Sequence, residues 1–317
     1  MPEFDSMLWT EKYRPMKFSE VKGQEMILER VEAFVKNKNM PNLLFAGPAG
    51  IGKSSMALVI ARELYGPTWR DNFLELNASD DRGIDIVRNV IKDFSRTKAI
   101  ANVPFKIIFL DECDSLTREA QQALRRTMEN YTNVTRFILS CNYSSKIIDP
   151  ILSRCTVFRF KPLNKSTFID IIKNIAKNEK LKIDEKAINA LYEISEGDAR
   201  KMENVLQSCA AISNNVTEKV IYDIISLAEP KEIKEVLNMA RKDFQTARNK
   251  LLDIMLKHGL SGMDVIKQIS KEIWNLEMKD EEKIKLMDKC GEIEFRMVEG
   301  SDEFIQLETF LVNFLGK

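Results

Sequence analysis

The residues Gly47, Pro48, Ala49, Gly50, Ile51, Gly52, Lys53 and Ser54 follow the spacing G-x-x-x-x-G-K-[ST]. An apolar run, Leu43–Ala46, precedes them, and a helical pattern opening at Ser55 follows. A glycine-rich turn between a strand and a helix N-terminus brings several backbone N–H groups around one anion, and the helix dipole adds to the attraction. A Cβ at the glycines would hold the backbone off a phosphate. Lys53 can reach the β and γ phosphates, and the Ser54 hydroxyl can ligate Mg²⁺. Residues Gly47 to Ser55 are therefore candidates for binding a nucleoside triphosphate.

Two further strand ends carry polar groups suited to the same chemistry. Lys106 to Leu110 is apolar apart from its first residue and ends in Asp111 and Glu112. A carboxylate at such a tip holds Mg²⁺, the role expected of Asp111. Glu112, one residue on, faces elsewhere and is the candidate general base for an attacking water. Phe137 to Cys141 ends in Asn142, whose amide can bond both a γ-phosphate and that water. Taken alone, a turn residue is the commoner meaning of such an Asn.

The elements that must position these groups alternate. Strands are expected at Leu43–Ala46, Phe73–Asn77, Phe105–Asp111, Thr135–Cys141 and Thr156–Phe160, with helical patterns between them. Several are apolar throughout, as in parallel strands covered on both faces. The fold class expected is α/β with a parallel sheet, whose ligands bind at the strands' carboxyl ends. The segment Lys161, Pro162, Leu163 marks one boundary and Ala228, Glu229, Pro230 a second. Three domains are expected: 1–161, the nucleotide-binding core; 162–227, a small helical domain; and 228–317, helical with no strand signal.

One helical pattern, Ile84–Thr97, carries Arg88, Lys92 and Arg96 at every fourth residue, with Arg82 just before it. Such a row suits successive phosphates of a nucleic-acid backbone, though a solvated face is the commoner meaning. The apolar segment from Ala99 to Phe105 offers Ile100 and Val103 to a protein partner or to its own domain.

The chain has 317 residues with 48 basic and 48 acidic side chains, so any nucleic-acid site is a local patch, not a general coating. Five cysteines without a C-x-x-C pair, and a single histidine, argue against zinc and for reduced thiols in the cytoplasm. No apolar run approaches a membrane span, and Met1–Ser6 has no targeting pattern, with Met7 an alternative first residue. His258 is expected to be an exposed helix-end residue before Gly259.

Together the phosphate loop, Asp111-Glu112-x-Asp114, Asn142, Ser153-Arg154-Cys155 and Gly197-Asp198-Ala199-Arg200 stand in the order found in AAA+ ATPases of the clamp-loader branch. With Leu8 to Pro15 and Leu76 to Asp80 they resemble the replication factor C small-subunit family, most closely its archaeal form. The resemblance implies an AAA+ P-loop core, a helical lid and an all-helical collar for oligomerisation. It implies a DNA-stimulated ATPase using ATP and Mg²⁺, which opens a PCNA-type sliding clamp and loads it onto primer–template DNA. It implies self-association, a large-subunit partner, and a cytoplasmic protein that joins the nucleoid during replication. Lys12, Tyr13, Arg14 and Pro15 would border the adenine, with Val21 to Gln24 close by. Arg154 would act as an arginine finger in a neighbour's site. Arg200 would lie over the phosphates of its own subunit, Arg82 and Arg88 would touch DNA, and Asn77 would sense it. Another AAA+ machine, such as a branch-migration helicase or replication initiator, is the alternative; a structural ring member that binds no ATP is a third.

Overall fold

The computed structural model describes residues 8–79, 87–97, 99, 100, 104–225 and 227–314, with only the backbone at 87 and 88. Contacts divide the chain into two compact units. One comprises residues 1–181 and 191–207, and the other residues 182–190 and 208–317.

In the first unit, strands β1 (Asn42–Ala46), β2 (Phe73–Asn77), β3 (Lys106–Asp111), β4 (Thr135–Cys141) and β5 (Cys155–Arg159) form one sheet in the order β2-β3-β4-β1-β5. Every pairing is parallel. Successive side chains of a strand face opposite ways, so each central strand feeds two cores. Leu43, Phe45, Ile107, Phe109 and Ile138 pack on one face with the helices Glu25–Lys36 and Lys53–Tyr65. Leu44, Ile108, Leu110, Phe137 and Leu139 pack on the other with the helix Arg118–Asn130. This is why β1, β3 and β4 read as continuous apolar runs. Phe45, Phe109 and Phe137 are fully enclosed, each contributing roughly 1.5–3 kcal/mol of apolar burial. β2, at the sheet's edge, alternates instead, with Glu75 and Asn77 exposed.

Beyond β5, Asn164 caps the helix Lys165–Asn178 by accepting from Thr167 N at 2.9 Å. The helix Ala199–Ile212 follows later. The stretch 162–227 is not wholly helical as expected. Lys182–Ile183 (β6) and Asn215–Val216 (β7) pair in parallel, short pieces with too few residues to show a period.

The basic pattern after β2 is described only in part. Residues 80–86, including Arg82 and Ile84, lie outside the described residues, as does Val103. Val87–Ile91 is a π-helical turn and Lys92–Arg96 an α-helix. The described part of the expected helical pattern is thus a π turn followed directly by an α-helical segment. Ile91 is buried, as expected of the inner face.

The second unit contains the helices Pro230–Ala240, Phe244–His258, Gly262–Ile273, Asp280–Val298 and Glu303–Val312 around one apolar core that ends on Phe310 and Phe314. His258 corrects the expectation of exposure. Its ring is only 5% exposed and lies 2.9 Å from Glu232 Oε2, because Glu232, in the first turn of the preceding helix, draws it inward. Among the described residues no helix is long and apolar enough to cross a membrane.

Candidate active site

The loop between β1 and the helix Lys53–Tyr65 closes through three glycines at positive φ: Gly47 (151°), Gly50 (68°) and Gly52 (95°). At Gly50 the requirement is also steric, since a Cβ would lie 1.8 Å from Asp198 Oδ1. Ala199 N donates to Gly50 O at 3.0 Å, so the segment that carries Arg200 rests directly on the phosphate loop.

Lys53 is 7% exposed. Its ammonium donates to Gly47 O (2.6 Å), Pro48 O (2.5 Å) and Asn142 Oδ1 (3.0 Å). Burial pushes its pKa down against the opposing pull of Asp111. The cation is thus already aimed across the loop and bonded to the Asn142 amide, with exchangeable carbonyl partners where phosphate oxygens can take over. Ser54 Oγ donates to Asp111 Oδ2 at 2.6 Å, and Asp111 Oδ1 accepts from Glu112 N at 2.9 Å. A hydroxyl and a carboxylate side by side at the loop's exit form an oxygen donor set fit for Mg²⁺.

Glu112 has φ of 52°, the left-handed region. That conformation costs a residue with a Cβ about 1–2 kcal/mol, and it turns the chain sharply at the strand's tip. Glu112 lines the cleft together with Asp111, Asn142, Lys53 and Ser54. Asp114 holds Asn142 from outside the cleft: its carboxylate accepts from Asn142 N (3.3 Å) and Tyr143 N (3.1 Å).

The cleft holds about 780 Å³, the size of a small-molecule site. Ala49 to Ser55 line its phosphate end; Lys12, Tyr13, Arg14, Pro15, Val21, Gln24, Leu163, Ile171 and Ile175 line the rest. Gly47 and Pro48 stand behind and serve through their carbonyls. The N-terminal arm is held by residues that nothing in the sequence singles out. Glu179 accepts from the Tyr13 hydroxyl and pairs with Lys12 Nζ at 2.6 Å. Burial works to raise the Glu179 pKa, but the bonds from Lys12 and Tyr13 outweigh it and hold it low. Burial and this carboxylate push the Tyr13 hydroxyl up. Trp9 N donates to Gln207 Oε1 at 3.0 Å, and Arg14 lies 3.3 Å from Glu11. Asp170, Asn174, Asn178 and Glu203 also line the cleft. None of the four is among the residues expected from the sequence. The first three recur every fourth residue, a spacing that could have marked them as one helix face.

The comparisons with known proteins bear on which family builds such a cleft. Residues 43–163 match the model of the ATPase family associated with various cellular activities, and 228–313 match the replication factor C C-terminal domain. Replication factor C small subunits from Sulfolobus acidocaldarius and Staphylothermus marinus are each 52% identical, covering 97% and 98% of this chain and 95% and 96% of theirs. That of Methanococcus maripaludis is 50% identical over 96% of both chains. The chain belongs to the replication factor C small-subunit family. It is therefore a nucleotide-binding ATPase and a clamp-loader subunit of DNA replication. Among solved structures, the Thermotoga maritima RuvB Holliday junction branch migration motor aligns with TM-score 0.57 at 16% identity, over 75% of this chain and 85% of that one. That likeness is one of fold.

Two arginines expected from the family motifs fall at opposite ends of the sheet. Arg200 lines the cleft and is exposed, with no ion pair or hydrogen bond among the described residues. Arg154 is not among the residues lining the cleft. It immediately precedes β5, whose first residue, Cys155, pairs with Asn42 at the start of β1. At roughly 3.3 Å per residue, Arg154 lies on the order of 20 Å from the phosphate loop that follows β1. There its guanidinium pairs with Glu129 Oε1 at 2.5 Å and donates to Pro150 O at 2.7 Å. Asn77 Oδ1 accepts from Ser79 N and Oγ, both at 2.9 Å, a local turn at the tip of β2. Lys92 is exposed, Arg96 lies 3.6 Å from Asp93, and Ile100 is half open.

Proposed function

We propose that this clamp-loader subunit uses ATP with Mg²⁺ to grip a PCNA-type sliding clamp, opens it, and sets it on primer–template DNA, and that DNA arrival stimulates hydrolysis. The observation that carries the reading is the separation of Arg154 from its own cleft. A guanidinium at the far end of the sheet, parked on an exposed carboxylate, serves a nucleotide bound by an adjoining subunit.

In this reading Gly47 to Ser55 enclose the phosphates with backbone N–H groups, and Lys53 exchanges its carbonyl partners for phosphate oxygens. Ser54 and Asp111 would hold Mg²⁺, which supplies charge neutralisation at those oxygens. Asn142, kept in place by Lys53 and Asp114, orients the attacking water, and Glu112 takes its proton. Arg200 covers the phosphates from the lid. Lys12, Tyr13, Arg14, Pro15 and Val21 border the base. The separate roles of the core (1–161), lid (162–227) and collar (228–317) belong to the same proposal. Exposed Trp274, Phe295, Val298 and Phe304 in the last of these support a surface that joins a large subunit and further copies of this chain. Arg82, Arg88 and Lys92 contact the DNA backbone, and the complex works in the cytoplasm at the nucleoid.

The test is subunit mixing. Arg154→Ala should leave nucleotide binding by its own chain unchanged but lower steady-state hydrolysis in the assembled loader by about 10³-fold at each site it faces. Mixing it with Glu112→Gln subunits should place the two defects in different sites of a ring. If Arg154→Ala abolishes nucleotide binding by its own isolated chain, the shared-site reading is wrong.

A further inference from the structure

Glu203 lies in the nucleotide cleft and has no part in the chemistry described above. It sits on the helix Ala199–Ile212, three residues beyond Arg200, and lines the same cleft. It is 9% exposed, yet no hydrogen bond to its carboxyl is found among the described residues. The ionisable groups that face it are Arg200 on its own helix, Asp198 in the turn before it, and Glu11 on the N-terminal arm. Burial, reinforced by the two acids and opposed by Arg200, raises its pKa to about 7. Its oxygens are not among the sealed, unpartnered atoms of the described residues, so they open onto the cleft. With no partner on the protein they meet water there, or a ligand donor that displaces it.

We propose that Glu203 is a nucleotide-contacting residue that hydrogen-bonds a donor on the nucleoside half of ATP, and so helps the site choose its ligand. This rests on the cleft being the ATP site. The donors available are the sugar hydroxyls and the exocyclic amine of adenine. The spacing favours the sugar. One helical turn, about 5 Å of axial rise, separates Glu203 from Arg200, and in a nucleotide the sugar follows directly on the phosphates. The base has its own apolar walls in Leu163, Ile171 and Ile175. Near neutral pH the carboxyl can donate or accept, so a hydroxyl meets a partner in either protonation state.

The experiment measures equilibrium binding of ATP, 2′-deoxy-ATP, 3′-deoxy-ATP and purine riboside triphosphate, which lacks the amine, to the full chain and to Glu203→Leu and Glu203→Gln. The expected result is that the full chain binds at least one deoxy analogue about tenfold or more weakly than ATP, the loss of one hydrogen bond to such a group. Glu203→Leu should remove that preference, and Glu203→Gln, which keeps a donor and an acceptor, should restore most of it. A Glu203-dependent penalty confined to the amine-less analogue assigns the contact to the base. If no analogue shows a preference that depends on Glu203, or if Glu203→Leu weakens ATP and every analogue equally, the contact is refuted. If the full chain fails to bind ATP at all, it is the reading of the cleft that fails.

Discussion

At the scale of single residues, the site is built from groups held slightly against their preferences. Lys53 is a buried cation with a lowered pKa, and Glu112 takes a left-handed backbone. Glu203 is a buried acid with its pKa raised from 4.5 to about 7. The last has a consequence for folding that differs in sign from the usual salt-bridged carboxylate. Between pH 4.5 and 7 the folded chain binds the proton that the unfolded chain has released, so stability falls as pH rises through that window. A rise from 4.5 to about 7 corresponds to about 3 kcal/mol, an upper figure reached above pH 7. Glu203→Gln should therefore be more stable than the parent at pH 8 by up to that amount, with the difference vanishing near pH 4.5. Denaturant unfolding at the two pH values reads it, and an equal difference at both would show that Glu203 is not buried as a neutral acid.

At the scale of elements, the phosphate loop and the N-terminus of the helix Ala199–Ile212 are tied together. Gly50 touches Asp198, and its carbonyl accepts from Ala199 N, which sets Arg200 at the cleft. Gly50→Ala imposes two penalties at once, a Cβ at φ of 68° and a clash with the Asp198 carboxylate. The first alone costs about 1–2 kcal/mol. The expected outcome is a fall in thermal stability together with a loss of nucleotide affinity of tenfold or more, read by calorimetry and titration. Gly66, whose added Cβ meets nothing within 4 Å, is the control: Gly66→Ala bears only the conformational penalty and should leave affinity unchanged. Elements are the most legible part of the sequence. Uninterrupted apolar runs announce β1, β3 and β4 because both faces of those strands are covered. The π-helical turn at Val87–Ile91 is not legible, since one residue added to a turn leaves no mark in the spacing of apolar residues. His258 reads as exposed in sequence because its enclosure depends on Glu232, 26 positions earlier.

At the scale of the whole molecule, the proposed function depends on surfaces that one chain does not complete by itself. Arg154 faces away from its own cleft, and the helical unit that follows exposes large apolar side chains. The proposed DNA contact belongs here too, because in that reading the loader grips DNA as an assembly. Replacing both Arg82 and Arg88 by Ala should reduce DNA-stimulated hydrolysis. It should also lower the slope of log K against log salt by about 1.8 per subunit, at roughly 0.9 for each phosphate that is no longer neutralised. An unchanged slope would remove those arginines from the interface.

The sequence by itself determined the phosphate loop, the acids at the tip of β3, Asn142, the sheet's five strands and the family. Each of these is written in neighbouring residues, since a loop that binds phosphate and a strand covered on both sides impose local rules of spacing and polarity. Only the tertiary structure decided that Glu179 ties down Tyr13 and Lys12, that Asp114 holds Asn142, that Arg154 and Arg200 stand at opposite ends of the sheet, and that Glu203 is a buried acid on the cleft wall. Those facts are contacts or burials set by how distant segments pack. An isolated Glu on a helix looks the same in sequence whether water or a nucleotide is to meet it.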